Sequence, residues 1–524
     1  MRLLIFHGYL LGGTGSNVYN AGLAAALVRL GHEVHLLCQE PEPFEYDFVD
    51  AAATWRDGSL QVEPRREVVR CTVYRPDVGG LLPVYVADRY AGVEARPFPE
   101  LSDAELERYL AANVEAVAEV AGRARPQVAL ANHLVMGPVI LARALAAGSQ
   151  GVPYAVKIHG SALEYTVKPH PRFLPYAREG IAAARGVLVG SRHTADSLWE
   201  AMEDPELPSR TRLGPPGVDV AAFAPRSGEE AAAALHELAE RLEAQDGADG
   251  GREAEPAFAR DRAEAARALR RLEPRDGRLV AFVGKLIAAK GIDLLLAAWP
   301  LVLDRVCGTR LVVVGFGAFR ASAERLVGDL GAGDLGAVRE LAAQGRAAED
   351  GPSGRFRYLE AFLEALADDP GRRSAYLAAA RALPDRVVFT GRLEHTELTQ
   401  LLPACDALVV PSTFPEAFGM VAAEAAACGA LPISADHSGL AEVSRTLAAA
   451  VPEPARQLLS FGLGPRAVED LAARISGWLQ APASIRRQTT RALVATARER
   501  YSWEGVANGV IAAAQGRLDA LPAP

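Results

Sequence analysis

Glu416 and Glu424 stand eight residues apart in the stretch Pro411–Gly429, which reads PSTFPEAFGMVAAEAAACG. The apolar run Ala407–Val410 before it reads as a buried strand, and the loop Ser412-Thr413-Phe414-Pro415-Glu416 leads into an Ala-rich helix over Phe418–Cys428. Gly429 stops that helix, and Ala430–Ser434 begins another strand. A loop that leaves the C-terminal end of a parallel strand and feeds a helix is where open α/β sheets bind ligands. There the leading N–H groups of Phe418, Gly419, Met420 and Val421, with the helix dipole, favour an anion, most simply a phosphate. Glu416 falls in the loop beside that anion, and Glu424 lies about two helical turns further in. Spacing alone says little, because solvated helix faces yield many such glutamate pairs.

Other residues at predicted strand ends could join this chemistry. Lys285 and Lys290 flank a turn in Gly284-Lys285-Leu286-Ile287-Ala288-Ala289-Lys290-Gly291, so both ammoniums can reach one diphosphate; loop lysines are also commonly just solvated. Gly12-Gly13-Thr14-Gly15 either cradles a phosphate or makes a tight turn, and it lacks the G-x-G-x-x-G spacing of a dinucleotide site. His133 and His159 each follow a predicted strand and face its ligand side, a place where histidines also serve simply to pack loops.

The elements that must hold these groups alternate strand and helix. Arg2–Phe6, the Gly-rich loop, a helix over Asn17–Leu30 and a strand over Glu33–Cys38 form a βαβ opening, which predicts a doubly wound sheet. Residues 40–100 are mixed, with Pro and Arg interspersed. Leu101–Arg123 reads as a helix capped by Ser102 or Asp103, followed by strands at Val128–Ala131, Tyr154–Ile158 and Gly186–Ser191. The segment 227–276, rich in Ala, Glu and Arg with a flexible Asp246–Gly251, reads as a helical hairpin between domains. A second sheet starts at Leu279–Val283 and continues through Leu311–Val314, Arg386–Phe389 and Ala407–Val410. A helical excursion over 329–383 interrupts it, expected at the edge away from the ligand side as scaffolding or a self-association surface. The expected division is a first domain over 1–226, the linker 227–276, a second domain over 277–500 and a last helix over 501–524.

Length and composition bound what remains. A chain of 524 residues is too long for one compact core. A net charge of −9 argues against a nucleic-acid protein. Five scattered cysteines without C-x-x-C read as reduced and buried in a cytoplasmic protein, with neither disulfides nor a metal site. No apolar run is long enough to span a membrane, which leaves peripheral membrane contact and self-association open.

The order Pro411, Ser412, Glu416, Phe418-Gly419, Glu424-Ala425, Cys428-Gly429, Pro432 closely resembles the retaining GT-B glycosyltransferases of family 4 (glycosyl transferases group 1), whose E-x7-E signature lies in such a run. The frame Gly284 to Gly291 resembles that family's G-R-L-x(3)-K-G, with Lys285 in place of the usual Arg and its bidentate fork. Pro215-Pro216-Gly217-Val218-Asp219 resembles its P-N-G-V-D turn, with Pro216 replacing Asn. The resemblance is strong over 279–293 and 405–443, and weaker in the first domain.

It implies two doubly wound, Rossmann-like α/β domains facing across a cleft, with the last helix returning to the first. It also implies transfer of a hexose from a nucleotide-diphosphate sugar to an unidentified acceptor, with retention of configuration and without a metal or cofactor. Glu416, Lys290 and His159 would be the catalytic residues. Lys285, Gly12, Gly13, Arg392, Phe418, Gly419, Met420 and Glu424 would bind the donor, Glu424 through the ribose hydroxyls and Arg392 near the base. His133 is a candidate on the acceptor side. A sugar-nucleotide epimerase, a phosphorylase, a dinucleotide-dependent oxidoreductase and a non-catalytic sugar-nucleotide sensor are the competing readings.

Overall fold

A computed structural model describes residues 1–85, 94–146, 151–245, 260–272, 278–349 and 354–524; Asp246–Gly251, read above as flexible, lies outside them. The chain divides into two compact units, Met1–Gly217 with Tyr501–Pro524, and Val218–Arg500.

The first unit carries β1 (Arg2–Phe6), β2 (Glu33–Leu37), β3 (Ala51–Arg56), β4 (Ser59–Pro64), β5 (Cys71–Arg75), β6 (Leu81–Val84), β7 (Glu94–Pro97), β8 (Val128–Asn132), β9 (Tyr154–Lys157), β10 (Gly186–Val189) and β11 (Thr211–Leu213). Nine of them form one sheet in the order β11-β10-β9-β8-β1-β2-β5-β3-β4, while β6 and β7 pair separately. Only the edge hairpin β3-β4 is antiparallel. Side chains alternate across a strand, so Leu4 and Phe6 enter one core with Val120 and Ala131, and Leu3 and Ile5 enter another with Leu23 and Val510. Both faces of β1 are therefore covered, as a doubly wound sheet requires.

The five strands between residues 51 and 97 were not resolved in the sequence reading. They are short, and Pro and Arg break their apolar alternation; β4 buries only Leu60. The helix Asp103–Ala124 starts as expected, with Ser102 and Glu105 closing a reciprocal capping box. The last helix, Trp503–Ala514, packs on the helix Gly15–Arg29 of this unit. Trp503 is buried there, and a Cβ at either Gly22 or Gly217 would overlap its indole.

The second unit carries β12 (Leu279–Val283), β13 (Arg310–Val314), β14 (Val387–Gly391), β15 (Ala407–Val410), β16 (Leu431–Ala435) and β17 (Ser460–Phe461), a parallel sheet in the order β14-β13-β12-β15-β16-β17. It begins at Val218, earlier than the expected 277, because the 227–276 segment belongs to it. Helices Gly228–Gln245 and Arg262–Arg270 form the expected hairpin, but it is not a solvated connector. Leu235, Leu238 and Leu242 are an apolar stripe that needs a partner surface, and they are buried. Arg260 donates to both carboxylate oxygens of Glu397, at 2.8 and 2.7 Å, and Arg320 donates to Glu264 at 2.6 Å. The 329–383 excursion packs on the same unit: Tyr376 is buried, and its hydroxyl donates to the Ala297 carbonyl at 2.9 Å.

Among the described residues, no helix is long and apolar enough to cross a membrane. All five cysteines are free; four are buried, but Cys307 is exposed, which corrects the expectation that all would be interior.

The strand order of the first sheet reverses between β1 and β8, and that of the second between β12 and β15. Crevices at the C-terminal ends of strands flanking such a point are the ligand sites of this architecture.

Candidate functional site

At the reversal point of the second unit, β12 runs into the Lys285–Lys290 loop and β15 into the Glu416 loop. The two loops touch. Lys290 Nζ pairs with the Glu416 carboxylate, and Ser412 Oγ donates to Glu416 Oε1 at 2.7 Å. The backbone amide of Glu416 donates to Ser438 Oγ at 2.9 Å, and the Gly439 amide donates to the Glu416 carbonyl at 2.9 Å. His437 donates from Nε2 to the Ser412 carbonyl at 2.7 Å. A carbonyl can only accept, so this bond sets the tautomer of that ring. Glu416 is thus held from three sides: by the β12 loop, by its own loop and by the loop after β16.

The glycines make the closeness achievable. Gly291 has φ +67°, and a Cβ there would overlap the Pro411 carbonyl oxygen. Gly419 has φ +98°, and a Cβ would overlap Leu440. Both positions combine a left-handed backbone with no room for a side chain.

The helix after Glu416 runs over Met420–Cys428 with Gly419 as its N-cap. It therefore starts later than the expected Phe418, whose buried ring lies before the first turn. The left-handed Gly419 cannot continue a helix backward, which explains the shift. Of the first amides of this helix, that of Ala422 donates to the Gly419 carbonyl at 3.1 Å, and the helix dipole adds positive potential where Lys290 already contributes a charge.

Glu424 lies inside that helix. Its Oε1 accepts from His395 Nε2 at 2.8 Å, while its Oε2 is buried with no hydrogen-bond partner among the described residues. Burial pushes the His395 imidazole pKa down, but the Glu424 carboxylate, then Asp219 and Glu394, outweigh it, and the net shift is upward. Lys285 and Arg392 flank Phe316, with Nζ and Cζ at 5.9 and 5.8 Å from its ring centroid. Arg392 also pairs with Glu394 at 3.0 Å. The sequence-predicted side chains of this unit therefore lie in three places, Lys290 on Glu416, Glu424 beside His395, and Lys285 with Arg392 around Phe316, while Phe418, Gly419 and Met420 lead into the helix that carries Glu424. His395, Ser438 and Phe316 were not singled out from the sequence, although each follows a strand end at the same side of the sheet.

The reversal point of the first unit is different in kind. His7 follows β1, His133 follows β8 and His159 follows β9. Their rings are mutually close, His7 to His133 at 5.8 Å and His133 to His159 at 4.8 Å. His7 Nε2 faces the Leu10 carbonyl and Asn17 Oδ1, at 2.9 and 3.0 Å, and Nδ1 faces the Asn20 amide at 3.0 Å. Donation from Nε2 and acceptance at Nδ1 describe one neutral tautomer. His159 Nε2 meets Asn132 Oδ1 at 2.8 Å, and Asn132 Nδ2 donates to the Phe6 carbonyl at 3.2 Å. That orientation makes His159 the donor from Nε2 and leaves Nδ1 an acceptor. His133, in a left-handed backbone conformation, is buried with neither ring nitrogen partnered among the described residues.

Burial pushes the His7 pKa down to about 4, partly opposed by its bonds to Asn17 and Leu10. Burial drives His133 and His159 well below the usual imidazole range; their proximity to one another and to His7, and for His159 to Lys157, opposes a further positive charge. Lys157, buried on β9 with Nζ donating to the Gly214 carbonyl at 2.6 Å, is pushed down to about 7 by burial. Gly12 and Gly13 belong to the same region: the Gly12 carbonyl accepts from Asn17 Nδ2 at 2.6 Å. His7 is not among the candidates that the sequence analysis named.

One expectation fails at this level of detail. The 329–383 excursion does not stay at the far edge of the second sheet. Its Glu349 accepts from the Ala288 amide at 2.6 Å, inside the loop that carries Lys290. The excursion is long enough to fold back over its own sheet, which spacing along the chain does not reveal.

Among the described residues, no group of three His, Cys, Asp or Glu side chains is placed to hold a metal ion.

Comparisons with known proteins agree with this architecture. The family model for a glycosyl transferase 4-like domain matches residues 14–206, and that for glycosyl transferases group 1 matches residues 371–492. Over 158 residues the chain is 33% identical to glycogen synthase of Mycobacterium tuberculosis H37Rv, covering 29% of this chain and 34% of that one. Over 254 residues it is 31% identical to D-inositol 3-phosphate glycosyltransferase of Segniliparus rotundus, covering 48% and 43%. The matched parts thus span less than half the length of these curated relatives. Among solved structures, sucrose-phosphate synthase from Thermosynechococcus elongatus superposes with a TM-score of 0.58 at 19% identity, covering 99% of both chains. HepE of Anabaena in complex with UDP does so with a TM-score of 0.54 at 16% identity, covering 99% of this chain and 100% of that one. At such identities these likenesses establish the fold. With a 4-like domain followed by a group 1 domain on that fold, the chain belongs to the GT-B glycosyltransferases.

Proposed function

We propose that this protein transfers a hexose from a nucleoside-diphosphate sugar to an acceptor hydroxyl, with retention of anomeric configuration and without a metal ion. The observation that carries this reading is the Lys290–Glu416 pair, pinned at the start of the Met420–Cys428 helix. It gathers a cation, a carboxylate and a helix N-terminus at a sheet reversal point. UDP and UDP-glucose complexes of a fold relative, HepE, support a nucleotide-sugar donor.

In the proposed reaction the bond from the anomeric carbon to the diphosphate oxygen breaks as the acceptor oxygen bonds to the same face of that carbon. The acceptor proton passes to the departing phosphate oxygen. Charge builds on the leaving diphosphate, so Lys290, Lys285 and the amides of Gly419 and Met420 stabilise the transition state more than the ground state. Glu416 interacts with the donor sugar and with positive charge at the anomeric centre. The unpartnered Oε2 of Glu424 suits a ribose hydroxyl, since a buried carboxylate oxygen without a donor is costly. The neutral His159 offers hydrogen bonding to sugar hydroxyls rather than a proton, because burial disfavours its charged form.

The test is turnover with UDP-, GDP- and ADP-sugars in excess EDTA, with the product anomer read by NMR. Activity should persist and the donor configuration should be kept. Activity that vanishes with chelator and returns with Mg²⁺ or Mn²⁺, or an inverted product, would overturn the mechanism.

A further inference from the structure

We propose that Glu349, supplied by the 329–383 excursion, is a positioning residue for the turn that grips the donor diphosphate. This rests on the donor reading of Lys290 given above. The turn Ala288–Lys290 is a single 3₁₀ turn, preceded by the extended Ile287 and followed by the left-handed Gly291. So short a turn has little stability of its own. Contacts from outside hold its backbone on two sides. On one side the Thr413 amide donates to the Ala289 carbonyl at 2.9 Å. On the other the Ala288 amide donates to Glu349 Oε2 at 2.6 Å, a bond to a carboxylate.

Glu349 itself is fixed. Its side chain is only 6% exposed, and Arg346 pairs with it at 3.4 Å. The neighbouring Ala348 carbonyl accepts from Ser322 Oγ at 3.3 Å. The Arg346 amide donates to the Gly354 carbonyl at 2.8 Å, closing the base of this segment. The buried Asp293, on the first turn of the helix Ile292–Arg305, faces the same place. Ala288, Asp293 and Thr413 line one cavity together with Phe356 and Tyr358 of the excursion. The excursion is therefore a wall of the phosphate-loop region, and through Ala288 it sets the position from which Lys290 reaches Glu416 and the diphosphate.

The bond can be cut from either end. Glu349→Ala removes the acceptor. Ala288→Pro removes the donor, at the first position of a turn, where proline is tolerated; Ile287, at φ −133° and ψ 153°, already has the backbone that a residue before proline needs. Glu349→Gln keeps a carbonyl oxygen in place. Calorimetry with UDP, GDP and ADP on the full chain first identifies the diphosphate bound best, and the matching nucleoside serves as the control ligand. Glu349→Ala and Ala288→Pro should each weaken the diphosphate about tenfold, the scale of one charge-assisted hydrogen bond. Neither should change nucleoside binding, the double variant should be no worse than either single one, and Glu349→Gln should restore most of the affinity. Equal weakening of diphosphate and nucleoside, additive losses, or wild-type affinity in both single variants would overturn the role of Glu349 alone. Failure of the unmodified chain to bind any of the three diphosphates would overturn the donor reading with it.

Discussion

The two reversal points use the same backbone geometry for opposite electrostatics. In the first unit the strand ends present His7, His133 and His159, aromatic in contact and held neutral by burial. In the second they present half-exposed Lys290 and Glu416, an ion pair at a helix start. A doubly wound sheet fixes where ligands bind and leaves what they are to the residues at the strand ends. Neutral, desolvated imidazoles with a defined tautomer suit uncharged hydroxyls. Lys290 beside a helix N-terminus suits an anion that gains charge during reaction.

If that contrast is right, the largest effect should come from the second unit. Lys290→Ala should lower turnover by roughly two orders of magnitude or more, in line with loss of one preorganised donor. The same steady-state assay on His159→Ala should show a smaller loss, since a neutral hydrogen-bond partner stabilises less than a charge. Losses in the reverse order would break the comparison.

A smaller effect separates the units by pH. His7 in the fold has a pKa near 4 against 6.5 unfolded. Its contribution to stability is present above pH 6.5 and is lost as pH falls from 6.5 towards 4. His395 is shifted upward by Glu424 against the opposing burial. Its contribution is present below 6.5 and is lost as pH rises through its folded value. NMR titration of the imidazole protons, assigned with His→Gln variants, should give a midpoint near 4 for His7 and one above 6.5 for His395. Midpoints near 6.5 for both would remove the electrostatic difference.

How much of this was legible in the sequence differs between the units for the same physical reason. Buried parallel strands are short apolar runs, so Arg2–Phe6, Leu279–Val283 and Ala407–Val410 stood out, and the loops after them followed at once. Glu416, Lys290 and Gly419 sit next to such runs in a distinctive order. The hairpin strands β3 and β4 are half exposed and carry no comparable pattern. His7 does not stand out in the sequence because its partners, Asn17, Asn20 and His133, are brought to it by the fold. Glu349 is the extreme case. It reaches Ala288 across 61 residues of chain, from a segment whose charged, helical composition shows nothing of where it returns. The hairpin over 227–276 was recognised as helical, but its place in the second unit depends on Arg260 finding Glu397, a contact no local pattern encodes.

The proposed division of labour is that Glu416 serves the reaction and Glu424 the grip on the donor. Parallel calorimetry and turnover on Glu416→Gln and Glu424→Ala test it most directly, using the nucleotide sugar that the unmodified chain binds best among UDP-, GDP- and ADP-glucose. Glu416→Gln should bind that donor close to normally and lose nearly all turnover. Glu424→Ala should weaken donor binding while retaining turnover at saturating donor, because the partner it removes belongs to the ribose and not to the reacting centre. Normal binding and full rates in both variants would contradict the assignment.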